Sequence, residues 1–251
     1  MPPVLSPVDL AALRASVDVR STQTAAVLPF GVDAIDSRLA AGGLALGGLH
    51  EATGRQASLA DDTAAVLFLA GVAARCAADG RSVLWALARV DLYAPGLEQV
   101  GLPSSRVLFA QGRSDPEVLA LMEDALRHGG IAAVIGEVRR VGMTETRRLQ
   151  LAATDAGVPA FLLRRRRKLD LCPLSEPSAA TTRWRVGCAP SIPVGIPGVG
   201  RHRWRVELAR QRGGEPFKWE VEACDDQGRL DMAAADADRA AAPLRTEVRA
   251  A

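Results

Sequence analysis

Residues 50–80, HEATGRQASLADDTAAVLFLAGVAARCAADG, join a glycine-containing turn to a long apolar helix pattern. A short strand is predicted just before the turn, at residues 48–52, and two acidic residues near the helix start favour the helix dipole. In nucleotide-binding domains a phosphate-binding loop occupies this place, because glycine lets backbone N–H groups surround a phosphate. Whether this loop binds phosphate depends on the residue types at its fixed positions.

Strands and helices alternate along the residues that follow. The predicted strands lack a polar/apolar alternation, which is typical of a parallel sheet covered by helices on both faces. One predicted helix starts with Asp115 as N-cap and Pro116 at its first helical position. The predicted strands are 81–88 (RSVLWALA), 106–111 (RVLFAQ), 131–138 (IAAVIGEV) and 159–164 (PAFLLR), and the predicted helices are 94–101, 115–130 and 144–157.

The pattern changes after Lys168. TTRWRVGCAPS (181–191), HRWRVELARQR (202–212) and FKWEVEACDD (217–226) predict antiparallel strands joined by glycine- and proline-rich turns. We therefore expect an α/β fold with a mostly parallel sheet, helices on both faces and C-terminal antiparallel strands. The expected organisation is an N-terminal helix (Ser6–Val17) and linker in residues 1–27, a core domain in 28–227, and a disordered tail in 228–251.

Composition excludes several classes of protein. The net charge of the 251 residues is only +2, so no global basic field favours nucleic acid. No run of about 18 apolar residues spans a membrane, and the N-terminus has no signal-peptide pattern. The four cysteines have no C-x-x-C spacing and the three histidines are scattered, which disfavours a metal site. We expect a reduced, cytoplasmic protein without a metal.

Two segments carry a resemblance to a known superfamily. LPFGVDAIDSRLAAGGLALGGLHEATG (28–54) resembles the entry segment of the RecA-like ATPase core, and VELARQRGGEPFKWEVE (206–222) resembles its last hairpin. Among RecA-like proteins the chain is most similar to the ImuA family of bacterial mutagenesis cassettes. The resemblance implies a RecA-like fold and a role in damage-induced mutagenesis, beside an ImuB-type Y-family polymerase homologue and with RecA as a second candidate partner. The alternatives are a RecA-like ATPase with an aberrant loop and a SulA-like inhibitor of cell division.

The phosphate loop departs from the pattern G-x-x-x-x-G-K-[ST]. Counted from Gly54, the second glycine falls on Leu59, the lysine on Ala60 and the hydroxyl residue on Asp61. An acidic side chain at the last position repels phosphate, and the compensating lysine is lost. We expect no nucleotide cofactor, and the remaining alternative is that Arg55 replaces the lysine.

The other catalytic positions of the superfamily are also altered. The Mg²⁺-ordering aspartate of the Walker B strand falls on Gly136, and the catalytic glutamate falls on Arg89. A guanidinium cannot act as a general base at neutral pH. We therefore expect no ATPase activity; the alternative is a shifted register in which Glu137 or Asp91 serves.

Two basic features remain as candidates for contact with a partner or DNA. The run LLRRRRKLD (162–170) includes Arg164, Arg165, Arg166 and Arg167 at the end of a predicted strand, where α/β ligand sites lie. The resemblance places Arg210 and Arg212 where RecA-like hairpins reach a neighbouring protomer. Solvated arginines are the alternative for both sets. Because the expected DNA loop is short and partly acidic, we expect weak DNA binding at most, a protein partner as the main ligand, and a homo-oligomer as one arrangement.

Overall fold

The computed structural model describes residues 26–165, 171–191 and 200–233. The helix expected at Ser6–Val17, the candidates Arg166 and Arg167, and most of the expected tail lie outside these described residues. No helix in the described part of the chain is long and apolar enough to cross a membrane.

The described chain alternates strands and helices as the sequence predicts. The helices are α1 (Asp33–Asp36), α2 (Leu59–Cys76), α3 (Ala94–Glu98), α4 (Asp115–His128) and α5 (Met143–Ala156). The strands are β1 (Val27–Leu28), β2 (Leu44–Ala45), β3 (Leu49–Gly54), β4 (Val83–Leu87), β5 (Val107–Gln111), β6 (Ala133–Val138), β7 (Ala160–Arg164), β8 (Thr182–Ala189), β9 (Arg203–Gln211), β10 (Phe217–Glu222) and β11 (Asp231–Met232).

A single nine-stranded sheet organises the molecule, in the order β5-β4-β6-β7-β3-β8-β9-β10-β11. The first six strands are parallel, and β9, β10 and β11 continue the sheet with antiparallel pairing. Strand β3 lies between β7 and β8, which follow it by more than a hundred residues in the chain. The expected mostly parallel sheet with C-terminal antiparallel strands is confirmed.

Both faces of the inner parallel strands are buried, which explains the absence of polar alternation in them, whereas edge strand β5 leaves Leu108 and Phe109 about half exposed. Neighbouring residues of one strand belong to different cores: Trp85 of β4 packs with α2, and Ala86 packs with α4 and α5. Trp184 and Phe68 join the first core, with their ring centroids 5.6 Å apart. Helices therefore cover both faces, as expected.

Two local expectations need correction. The N-cap of α4 is Ser114, and Asp115 is the first helical residue, because the Asp115 carboxylate accepts hydrogen bonds from the backbone N–H groups of Arg139 and Arg140 instead of capping its helix. The sheet also extends beyond residue 227, where we expected a tail to begin. There β11 pairs with β10, and Leu230 and Ala233 are buried.

A buried ionic network lies under the second core. The Glu51 carboxylate of β3 accepts hydrogen bonds from Nε of Arg183, at 2.9 Å, and from Oγ of Ser178, at 2.5 Å. Arg164 of β7 lies 3.8 Å from the same carboxylate, and its Nη2 donates to Glu176 at 2.6 Å. Glu51, Arg164 and Arg183 are each 3% exposed or less, and the two buried arginines share the carboxylates of Glu51 and Glu176.

We predict that Glu51→Ala destabilises the fold by about 3–5 kcal/mol, because it leaves buried Arg183 without its carboxylate and Arg164 with Glu176 alone. Glu222→Ala is the matched control, since it removes a carboxylate that pairs with partly exposed Arg201 at 2.7 Å. We expect this control to cost less than about 1 kcal/mol. Urea unfolding followed by tryptophan fluorescence measures both, and equal losses would contradict the role given to the buried network.

Candidate functional site

The degenerate phosphate loop connects β3 to α2 and consists of residues 55–58. Gly54 is the last residue of β3, directly before the loop. A Cβ on Gly54 would lie 2.8 Å from the Asp62 carboxylate, so the start of α2 approaches the strand as closely as glycine permits. Ser58 is the N-cap of α2, and its hydroxyl accepts a hydrogen bond from the Asp61 N–H at 3.2 Å. Leu59 and Ala60, at the glycine and lysine positions, are exposed.

The carboxylate of Asp61 occupies the inside of this loop. Its Oδ2 accepts a hydrogen bond from the loop N–H of Gln56 at 2.8 Å, and its Oδ1 accepts one from the N–H of Cys188 in β8 at 2.9 Å. Asp61 is 8% exposed. The protein therefore supplies its own anion to a backbone N–H of the loop, and a second anion there would meet repulsion in a partly desolvated place.

Gly136 faces away from the loop helix. A Cβ at this position would overlap the sulfur of Met122 in α4, so the second core leaves no room there for an aspartate. The neighbouring Glu137 points to the opposite face, where Trp85 lies beside α2. Of the two Walker B candidates, Glu137 is the one on the face that carries the loop helix.

Glu137 is engaged on both carboxylate oxygens. Its Oε1 accepts from Nε1 of Trp85 at 2.8 Å, and its Oε2 accepts from Nε of Arg165 at 2.9 Å. Arg165 also lies 3.8 Å from the Asp91 carboxylate, so the two alternative acids share one guanidinium. Arg89, at the catalytic glutamate position, is exposed.

The two described residues of the arginine run differ in environment. Arg164 is 1% exposed and pairs with Glu51 and Glu176, so its interpretation as a surface contact for DNA or a partner is wrong. The cause is its place on β7, inside the sheet, where the side chain follows Leu162 onto the face of the second core. Arg165 is partly exposed and binds Glu137.

Arg210 and Arg212 lie at the far end of β8 from the loop. Arg210 lies opposite Arg183 in the strand register, near the start of β8, whereas Arg55 of the loop contacts Val186 and Asp61 of α2 contacts Cys188. Both arginines are exposed, and Nη2 of Arg212 donates to the Ala179 carbonyl at 3.2 Å. The two candidates are therefore close together and accessible.

Sequence reasoning missed a cavity of about 1010 Å³ at the carboxyl edge of the parallel strands. It opens between the first turns of α4 and α5 and residues 171–177, which are three separate parts of the chain. No local motif marks it, although the carboxyl edge of a parallel sheet is where α/β proteins place ligands. Among the described residues, no three His, Cys, Asp or Glu side chains gather in a way that could hold a metal ion.

The environment of Glu137 generates a prediction about pH. Burial raises the pKa of Glu137 above its ordinary value of 4.5, and the Arg165 charge and the Trp85 hydrogen bond oppose this shift. The folded state then holds this proton to higher pH than the unfolded chain does. The stability contributed by Glu137 is therefore lost as the pH rises from 4.5 through the raised pKa.

We expect Glu137→Gln to gain stability relative to the wild type as the pH rises through that window. Glu117→Gln is a control of opposite sign, because hydrogen bonds from Arg113 lower the pKa of Glu117. Its variant should lose stability relative to the wild type as the pH rises through the range below 4.5. Urea unfolding at a series of pH values measures both. A Glu137→Gln difference that falls with pH would show that Arg165 outweighs burial.

Proteins of similar sequence show which family the chain belongs to. No family model matches the chain. Protein ImuA of Caulobacter vibrioides, in each of two strains, is 41% identical over 208 residues, covering 78% of this chain and 83% of that protein. The crystal structure of SulA from Pseudomonas aeruginosa matches with a TM-score of 0.39 and 21% identity, covering 46% of this chain and 96% of that chain. The identity to ImuA over most of both chains confirms the resemblance, and the chain belongs to the ImuA family.

Proposed function

We propose that this protein is a non-catalytic RecA-like adaptor in damage-induced mutagenesis, which binds an ImuB-type Y-family polymerase homologue and supports DNA synthesis past lesions. The relationship to ImuA supports involvement in a mutagenesis cassette. The adaptor role adds that the protein works by binding other proteins and does not hydrolyse ATP. RecA is the second proposed partner.

The observation that carries the proposal is the Asp61 carboxylate inside the degenerate loop. A phosphate-binding loop needs free backbone N–H groups and a cation, and here the Gln56 N–H already has an anionic acceptor at 2.8 Å. The lysine position holds Ala60, which brings no charge. Arg55 is exposed and precedes the helix start by four residues. It is therefore poorly placed to contact phosphate as the lysine of a phosphate-binding loop does.

Glu137 supports the same proposal from the chemical side. A general base takes a proton from a water within hydrogen-bond reach, and a carboxylate that is 8% exposed gives such a water little access. Both oxygens of Glu137 already accept hydrogen bonds, from Trp85 and Arg165. The acid on the loop-helix face therefore serves to hold β4, β6 and the end of β7 together.

We predict no heat of binding at about 1 mM Mg-ATP, which corresponds to a binding free energy weaker than about −4 kcal/mol. Isothermal titration calorimetry on the full chain measures this. The reason is the combination of an internal anion and a missing lysine in the loop. Micromolar affinity for Mg-ATP would overturn the proposal in favour of an ATPase with an unusual loop.

The variant Ala60→Glu distinguishes the non-catalytic adaptor from an active ATPase in cells. Ala60 is exposed in the first turn of α2, so a glutamate there suits the helix dipole and leaves the fold intact. It also adds a third acidic side chain, next to Asp61 and Asp62, at the position where an active ATPase would need a cation. We expect damage-induced mutation frequency to equal that of the wild type, whereas loss of mutagenesis by a stable Ala60→Glu protein would indicate nucleotide-dependent action.

Partner contact through the last hairpin is a separate prediction. We expect Arg210→Ala with Arg212→Ala to weaken capture of RecA or of the polymerase homologue and to leave single-stranded DNA affinity unchanged. Arg89→Ala with Arg147→Ala is the matched control, since it also removes two exposed arginines. Pull-downs and DNA titrations over a salt series measure the two activities, because phosphate contacts give a log–log salt slope of about −0.7 each on single strands. Tight DNA binding lost in the hairpin variant would make the protein a DNA-binding protein first.

A further inference from the structure

The cavity at the carboxyl edge has the size and place of a ligand groove. Its volume of about 1010 Å³ accommodates several amino-acid side chains. Helix α4 contributes one wall, the start of α5 contributes the second, and residues 171–177 contribute the third. We call it the α4–α5 groove.

Apolar side chains form the floor of the α4–α5 groove and part of its mouth. Leu119, Val141 and Leu149 form a buried floor. Leu171 and Met143 stand at its mouth with 86% and 48% of their surfaces exposed. Exposed apolar side chains around a concave site are a feature of protein interaction surfaces.

The unpaired charge at the rim of the groove is mainly positive. Arg139 and Arg140 are exposed, and the guanidinium groups of both lack an ion-pair partner among the described residues. The other two arginines that line the groove are paired, Arg148 with Glu123 and Arg165 with Glu137. Of the lining acids, Glu123 and Glu176 are neutralised by arginines, and Glu145 lies over Gly142 at the start of α5.

The third wall is fixed in place before any ligand arrives. Arg183 donates through Nη1 to the carbonyls of Leu174 and Glu176, both at 2.9 Å. Arg164 holds the Glu176 side chain at 2.6 Å. A wall that is already ordered lowers the conformational entropy cost of binding, so the buried network prepares the groove for a ligand.

We infer that the α4–α5 groove binds a short segment of the polymerase homologue in which apolar side chains are followed by acidic ones. The apolar residues would fill the floor, and the carboxylates would meet Arg139 and Arg140. This inference rests on the proposed function, since it names that partner. A peptide suits the groove better than single-stranded DNA, because none of the described lining residues is aromatic, so bases have no stacking platform, whereas the apolar floor accepts apolar side chains.

The full-length chain is tested for binding to the intact polymerase homologue and to short overlapping peptides that span the homologue's sequence. Fluorescence anisotropy measures both affinities. Arg139→Glu with Arg140→Glu reverses the rim charge. Ala120→Trp fills the groove from exposed Ala120 of α4 without changing any charge. We expect each variant to weaken binding on the order of tenfold or more, for the intact protein and for one acidic, apolar peptide.

Arg147→Glu is the matched control, because Arg147 is an exposed residue of α5 outside the groove. We expect it to leave affinity within about twofold, since rim charges away from the contact change mainly the association rate. Thermal unfolding verifies that all variants are folded. Oligo(dT) titrations and sedimentation of each variant measure DNA binding and self-association.

The outcomes separate the two proposals. If the wild-type chain does not capture the polymerase homologue, the proposed function fails and this inference fails with it. If capture is strong and folded groove variants bind as the wild type does, the inference alone is wrong. A groove variant that loses affinity for oligo(dT), or that changes only self-association, would assign the groove to DNA or to a second copy and also overturn the inference.

Discussion

The fold depends on one buried carboxylate. Glu51 lies on β3, at the centre of the sheet, where it pairs with Arg183 of β8 and lies 3.8 Å from Arg164 of β7, the strands on either side. Without Glu51, Arg183 would carry uncompensated charge in the core and Arg164 would keep only Glu176, at a cost of several kcal/mol. The same arginines bind the backbone and side chain of residues 173–176. Strand order and the path of the chain over α5 are thus coupled through one ion cluster.

A second internal carboxylate determines what the loop after β3 can do. Asp61 joins the loop to β8 through hydrogen bonds with Gln56 and Cys188. A loop that binds a nucleotide keeps backbone N–H groups available for the phosphate. Here the chain supplies both the donor and the anion, so the loop is ordered by residues that are 127 positions apart. That arrangement supports a structural role for a segment whose sequence still has the place of a phosphate site.

The sequence predicted much of the architecture because strands buried on both faces are continuous apolar runs bounded by capped helices. The same reasoning failed for Arg164, since four adjacent arginines look alike until the pairing of β7 with β3 places one of them inside. Only part of the role of Asp61 could be predicted. Ser58, three residues earlier, is an N-cap signal in the sequence, but nothing in the sequence indicates the hydrogen bond from the distant Cys188 N–H. The groove could not be predicted from the sequence because its walls come from three segments that are far apart in the chain.

The position of β3 has a consequence for how the protein is made. Its two neighbours in the sheet, β7 and β8, are synthesised more than a hundred residues after it. During translation this central strand, whose residues are all buried in the folded protein, therefore has no partner at either edge, and Glu51 has no arginine beside it. Parallel pairing over such long separations is slow to form, and exposed strand edges are aggregation-prone. A ribosome-bound chain that has not yet reached Thr182 is consequently the form most in need of a chaperone.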